Sequence, residues 1–160
     1  MPNDSFITLL HALSTWFMVG LIWFVQVVHY PLMARVGEER WIDFELAHTR
    51  RTTWVVMPAM LVELATAIGL AAAAWGVSVP FVAPGVDRLS ASLGLALVVA
   101  IWISTFALQV PCHHRLERNW CEATQRRLVR TNWLRTWLWS VRGALAALIL
   151  VGQPLLPGVG

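Results

Sequence analysis

The chain has 160 residues, of which 58% are hydrophobic and only 13% are charged, and its net charge is +3. An average soluble domain is about 45–50% apolar and about 25% charged. The composition therefore excludes a soluble globular domain, a nucleic-acid-binding protein and a disordered chain. The length fits a single domain, 1–160, which we expect to be integral to a membrane.

Long apolar blocks follow one another along the chain. Two of them contain no charged residue, at 5–34 and 89–114, and two contain one each, at 52–86 and 136–160. A membrane-spanning helix needs about 20 mostly apolar residues. Unpaired backbone groups are too costly in lipid, and no strand-like alternation is present. The sequence therefore predicts an all-α, polytopic four-helix bundle with spans at about 6–33, 52–75, 89–112 and 134–156.

Charge predicts the orientation of these spans. All twelve basic residues are arginines, and ten of them lie between the first and second or the third and fourth blocks. Under the positive-inside rule these two segments face the cytoplasm. We therefore expect a multi-pass protein of the bacterial inner membrane with both termini outside. Cys112 and Cys121 then lie on the reducing side, where no disulfide is expected.

The segments that precede the second and fourth spans are expected to be helical. Neither Glu38–Arg51 nor Glu117–Arg135 contains a proline or a glycine, so each is predicted to form a helix that runs into its span. Pro31 is predicted to mark the cytoplasmic end of the first span. Pro58 and Pro111 are expected to kink their helices unless neighbouring groups compensate.

A weak internal repeat relates the two halves at an offset of 84 residues. It aligns His29 with His113 and Arg51 with Arg135. Such matches also arise by chance in so narrow a composition. A true duplication would pack two parallel helical hairpins around a pseudo-twofold axis, with a shared site at their interface. The matched residues are near the cytoplasmic end, so the site is expected there.

Histidines and one glutamate make this end a candidate metal centre. Glu45 and His48 have the Glu-x-x-His spacing that di-iron bundles use to direct two ligands at one core. Imidazole and carboxylate suit a transition metal such as iron, zinc or copper. The predicted ligands are His29, Glu45, His48 and His113 or His114. Hydrogen-bonding support for these ligands is expected from Gln26, Arg51, Gln109, Asn132 and Arg135.

Two other interpretations of these histidines stay open. Haem needs two axial ligands from different helices at one depth, and His29 with His114 would supply them. Alternatively, interfacial histidines face lipid headgroups or hydrogen-bond helix ends without binding any cofactor.

Glu63 and Arg142 are ionisable residues inside predicted spans, at the second and fourth blocks. Such residues are costly in a membrane and are expected to have a partner. Their predicted depths differ by roughly 7–8 Å, a distance that an arginine side chain can cross. We expect a structural ion pair between the two helices. The alternative is a proton or cation relay with Glu63 as the carrier.

Four stretches carry a family resemblance: FVQVVHYPLMARVG, FELAHTRRTTWVVMPAMLVELATA, LQVPCHHRL and LVRTNWLRTWLWSVRG. With these segments the chain resembles, over nearly its whole length, a functionally uncharacterised family of small bacterial four-span inner-membrane proteins. The resemblance implies a four-helix membrane protein. It supplies no activity, cofactor or catalytic residue.

Three functions are compatible with the sequence. The first is a membrane protein whose cytoplasmic His/Glu site binds a metal or haem for redox chemistry, which would make it an oxidoreductase. The second is a non-catalytic subunit of a larger respiratory or photosynthetic complex that packs against other membrane proteins or against further copies of itself. The third is a small transporter that uses Glu63. Besides the lipid bilayer, no partner is specified, and no nucleic acid is expected.

Overall fold

The structure is a computed structural model that describes residues 6–82 and 85–152. These residues form four long helices and no strand: α1, Phe6–Met33; α2, Glu38–Ala74; α3, Arg88–Leu116; and α4, Glu122–Leu150. The predicted all-α class is confirmed. Residues 153–156 of the predicted fourth span lie outside the described part of the chain.

The helices form a bundle in which each packs against its neighbours in sequence and α4 returns to α1. Short turns at 34–37 and 117–121 join α1 to α2 and α3 to α4 at one end, which carries ten of the twelve arginines and is called the arginine-rich end below. At the opposite end, the Ile7 amide donates to the Phe81 carbonyl oxygen at 3.1 Å. That bond ties the loop between α2 and α3 to the start of α1.

Three of the described helices, α1, α2 and α3, are long and apolar enough to cross a membrane. Helix α4 differs because it carries Arg130, Arg135 and Arg142 in the stretch that would cross. Two of these arginines point inward, as part of a buried polar stripe that consists of Gln125, Asn132, Arg135, Thr136 and Arg142. The low hydropathy of α4 thus comes largely from its buried face.

The start of α4 differs from the prediction. Helix α2 begins at Glu38, as expected for Glu38–Arg51, but α4 begins at Glu122 and not at Glu117. Glu117 closes α3, and Cys121 has an extended backbone with φ −148° and ψ 107°. The intervening turn has no proline or glycine, so nothing in the local sequence marked it.

Pro31 and Pro111 each follow a wide turn of their helix. Residues Val25–His29 in α1 and Thr105–Gln109 in α3 are π-helical, a form that re-routes backbone bonds where proline offers no N–H. These two turns are 80 residues apart, whereas α2 and α4 begin 84 residues apart. By its helix position His29 therefore corresponds to Gln109, and the predicted alignment of His29 with His113 is wrong. Pro58 lies within an uninterrupted α2.

Two apolar clusters fill the bundle and leave a polar layer between them. One cluster is in the middle of the helices and consists of Met18, Val19, Ile22, Met60, Ile101 and Trp139. The other is at the arginine-rich end and consists of Tyr30, Met33, Trp41, Cys112, Leu116 and Leu128. The candidate site occupies the polar layer.

Candidate functional site

Three histidines from three helices meet in the polar layer. His29 of α1 and His48 of α2 share a hydrogen bond, with Nε2 and Nδ1 3.0 Å apart and the rings stacked at 4.6 Å. The His113 ring of α3 lies 5.5 Å from the His48 ring. The Thr52 hydroxyl lies 3.2 Å from His48 Nδ1, one helical turn away. We call His29, His48, His113 and Glu45 the histidine cluster.

Glu45 and His113 form a carboxylate–imidazole dyad. Glu45 is fully buried, and its Oε1 lies 2.6 Å from His113 Nδ1. Since the carboxylate accepts the Nδ1 proton, Nε2 of His113 is left as the free acceptor, and the Tyr30 hydroxyl lies 3.5 Å from it. A carboxylate in this position fixes the tautomer and stabilises the imidazolium that forms when Nε2 takes up a proton. The dyad can therefore exchange protons.

A cavity of about 910 Å³ lies beside the dyad, between α2 and α3. His48, Gln109, His113 and Arg135 contribute polar groups to its wall. Its remaining lining is mostly apolar and includes Leu46, Trp54 and Phe106, which are exposed on the outside of the bundle. Ligand pockets are commonly about 300–1,000 Å³, with a few polar groups in an apolar wall. The cavity has the size and composition for an amphipathic molecule.

The charges around this cavity cancel. Its lining contains two arginines, Arg50 and Arg135, and two acidic residues, Asp43 and Glu117. Glu117 also accepts a hydrogen bond of 2.8 Å from Thr49, which joins α2 to the end of α3. A wall with no net charge favours an uncharged ligand that offers hydrogen-bond acceptors to the imidazole, amide and guanidinium donors.

The structure brings the predicted metal ligands together as hydrogen-bonded pairs. His29 bonds to His48 and His113 to Glu45, so these donor atoms point at one another. Within 6–82 and 85–152, no group of three or more His, Cys, Asp or Glu side chains is placed to hold a metal ion. The haem ligands are not brought together either, since His114 is exposed and no described contact joins it to His29.

The residues expected to support the ligands lie near the cluster but bond elsewhere. Asn132 Nδ2 donates to Gln26 Oε1 at 2.8 Å, and Gln109 Nε2 donates to Thr131 Oγ1 at 3.2 Å. Arg135 is buried with its guanidinium 5.1 Å above the Trp139 ring. Arg51 is exposed on α2 and has no described contact with the cluster. None of these side chains hydrogen-bonds a cluster histidine in the described residues.

Glu63 and Arg142 are paired in the middle of the bundle. Arg142 Nε donates to Glu63 Oε1 at 2.6 Å, and Trp139 Nε1 donates to Oε2 at 3.1 Å. Arg142 Nη1 also donates to the Gly94 carbonyl oxygen of α3. Both charged side chains are at most 1% exposed. The pair thus joins α2, α3 and α4, which is the arrangement of a structural lock.

Several contributors to these sites were not among the candidates from sequence. Tyr30, Thr52 and Trp139 supply contacts to the histidine cluster or the ion pair. Tyr30 and Thr52 stand one and four residues from predicted ligands, so helical spacing could have indicated them. Trp139 could be indicated only by its place on the polar stripe of α4, three residues before Arg142.

Comparison with known proteins gives no match to any family model, curated protein or solved structure. The site therefore rests on its own geometry.

Proposed function

We propose that this chain is a four-span protein of the bacterial inner membrane that binds an uncharged amphipathic molecule and exchanges a proton with it through His113. The observation that carries the proposal is the 2.6 Å Glu45–His113 dyad beside a cavity that has no net charge. The exposed apolar residues at its mouth allow entry from the bilayer. Since the arginine-rich end belongs in the cytoplasm under the positive-inside rule, the site lies in the cytoplasmic half.

The chemistry of the ligand follows from the groups that face it. His113 Nε2 acts as the proton acceptor or, once protonated, as the donor, while the buried Glu45 carboxylate stabilises the imidazolium. His48, Gln109 and Arg135 offer donors to an oxygen acceptor. A ring that carries a carbonyl oxygen, attached to an apolar tail, meets these requirements.

A short-chain benzoquinone with a decyl tail tests the binding step. Trp54 lines the cavity, so we expect saturable quenching of tryptophan fluorescence in purified protein and a weaker response in Trp54→Phe. His113→Gln should weaken binding by up to about tenfold, the equivalent of one hydrogen bond. His114→Gln, the neighbouring exposed histidine, is the matched control and should bind like wild type. Equal losses in both variants would refute the assignment to His113.

The proton step has its own readout. In weakly buffered solution, binding of the quinone in its reduced, acidic form should release fewer protons to the solvent in wild type than in Glu45→Gln, because a neutral amide in place of the carboxylate cannot stabilise an imidazolium. Binding without any difference in proton release would leave a simple binding protein and remove the acid–base role.

A metal ion is the second candidate ligand of the histidine cluster. It is favoured by the 3.0 Å between His29 Nε2 and His48 Nδ1, since two ligands of one ion at about 2.0–2.2 Å stand roughly 3–4.5 Å apart. Elemental analysis after addition of Zn²⁺ or Co²⁺ and removal of the excess tests it. Stoichiometric metal that is lost in His29→Gln and kept in His114→Gln would support the site. Its absence from wild type would remove it.

A further inference from the structure

A second groove lies on the opposite side of the bundle from the cavity, between the arginine-rich ends of α1 and α4. It encloses about 690 Å³. Pro31 and Ala34 form its α1 wall, and these small side chains leave room beside α4. Arg126, Arg127 and Arg130 line its α4 wall.

The charge of this groove is strongly one-sided. Its lining contains three arginines and no acidic residue. Arg126 bonds to Glu122 at 3.0 Å in an exposed i,i+4 pair, whereas the Arg127 and Arg130 guanidinium groups have no acidic partner among the described residues. The cavity between α2 and α3, in contrast, has no net charge. The groove therefore matches an anion with planar oxygen acceptors, the geometry that guanidinium groups bind best.

Aromatic residues fix the depth of the groove relative to the membrane. Trp133 lines it one helical turn beyond Arg130, about 4.5 Å along the axis. The Trp23 ring packs against Trp133 and Trp137 at 5.7 and 6.1 Å, so the indoles continue along the same α1–α4 seam. Indole rings concentrate at the membrane–water interface. The arginines therefore lie at the level of lipid phosphates, with an apolar seam directly beneath them.

We propose that this groove binds the headgroup of an anionic phospholipid from the cytoplasmic leaflet. Its phosphate lies between Arg127 and Arg130, and its glycerol backbone and acyl chains run along the tryptophan seam. Basic pockets between helices on the cytoplasmic side are suited to such headgroups. A phosphate alone would use the arginines but not the indoles, which commits the site to a lipid. This inference is independent of the function proposed for the cavity.

Native mass spectrometry and thermal unfolding test the proposal. Purified protein is given either phosphatidylglycerol or phosphatidylcholine, and inorganic phosphate serves as the source without tails. We expect retained phosphatidylglycerol adducts and a raised unfolding temperature for wild type with phosphatidylglycerol only. Arg127→Gln/Arg130→Gln should lower the apparent affinity by about tenfold or more. Arg127→Lys/Arg130→Lys, which keeps both charges, should lose less.

A matched double variant removes the same charge elsewhere. Arg115→Gln/Arg118→Gln changes two exposed arginines at the same end of the molecule, outside the groove lining, and should bind the lipid like wild type. Equal loss in the two glutamine doubles would show a general surface-charge effect and overturn the site. Stabilisation by inorganic phosphate alone, or equal retention of phosphatidylcholine, would overturn the assignment to an anionic lipid.

Discussion

The ion pair of Glu63 and Arg142 shows how a charge can be tolerated in the middle of this bundle. Each oxygen of the carboxylate accepts one hydrogen bond, from Arg142 and from Trp139, and the guanidinium also donates to Gly94. The charges are thus neutralised where each alone would be very costly. The residues contribute specificity of packing, because only one relative position of α2, α3 and α4 makes all these bonds.

Glu63→Gln tests this lock by leaving a buried arginine without its counter-charge. Removal of one partner of a buried pair costs about 3–5 kcal/mol, so the unfolding free energy in detergent should fall by about that much. Adding Arg142→Gln should recover part of the loss. Glu122→Gln, at the exposed pair with Arg126, is the control and should cost at most about 1 kcal/mol. Strictly additive losses in the double variant would refute the coupling.

The chemistry of the histidine cluster also depends on single contacts. The Nδ1 atom of His113 faces a carboxylate and the Nδ1 atom of His48 faces another imidazole. The two histidines therefore have different partners in one small site. Because Glu45 is fully buried and His113 is 16% exposed beside the cavity, the buried carboxylate can act on a ligand only through His113.

At the level of the helices, sequence reasoning succeeded where the signal was local. The uncharged block 5–34 predicted α1 with its ends, and the absence of breakers in Glu38–Arg51 predicted the long cytoplasmic extension of α2. The turn before α4 was missed because it has no proline or glycine, and the shift of four residues between the two halves was missed because π-turns leave no simple pattern.

The candidate site was predictable only in part, for a physical reason. His29, Glu45, His48 and His113 share a depth, and depth follows from helix position, so their meeting could be expected. Which atoms pair depends on helix rotation, which the sequence does not give directly. The bonds of His29 to His48 and of Gln26 to Asn132, in place of a common metal and its support, are consequences of that rotation.

The seam between α1 and α4 gives a sharp test of helix packing. A Cβ atom added at Gly143 would lie 2.9 Å from Val19 Cγ2 and 3.6 Å from the Trp16 ring. Gly143→Val should therefore overpack the seam and destabilise the protein by about 1–3 kcal/mol. At Gly20, also within a helix, an added Cβ would meet nothing within 4 Å, so Gly20→Val is the matched control. Equal unfolding free energies for the two variants would contradict the close approach at Gly143.

Across the whole molecule, polarity is arranged in the reverse of a soluble bundle. Tryptophan, isoleucine and valine side chains are exposed all around the helices, and Trp54 is 78% exposed. Buried positions instead include charged and amide residues such as Glu45, Glu63, Asn132 and Arg142. This distribution fits a lipid surround. It also explains why α4, with its polar stripe inside, is less apolar than the other helices while its outer face is apolar.

The turn at 117–121 carries a thiol that reports on which side of the membrane the arginine-rich end lies. Cys121 is half-buried in this turn, whereas Cys112 is buried within α3. Hydrogen bonds with Thr124, chiefly its side chain, lower the pKa of the Cys121 thiol. A lowered pKa increases the thiolate fraction at neutral pH, and the thiolate is the reactive species. Cys121 should therefore react with maleimides at neutral pH, and Thr124→Ala should slow that reaction at pH 7 but not at high pH.

Labelling of Cys121 then tests the orientation of the whole bundle. If both arginine-rich turns face the cytoplasm, a membrane-impermeant maleimide should leave intact bacterial spheroplasts unlabelled and should label inverted membrane vesicles. A permeant maleimide should label both preparations. Cys121→Ser should abolish the signal and Cys112→Ser should keep it, because Cys112 is only 4% exposed. Labelling of intact spheroplasts by the impermeant reagent would invert the topology. The cavity and the lipid groove would then both open toward the outer half of the membrane, where the positive-inside rule could not have placed ten arginines.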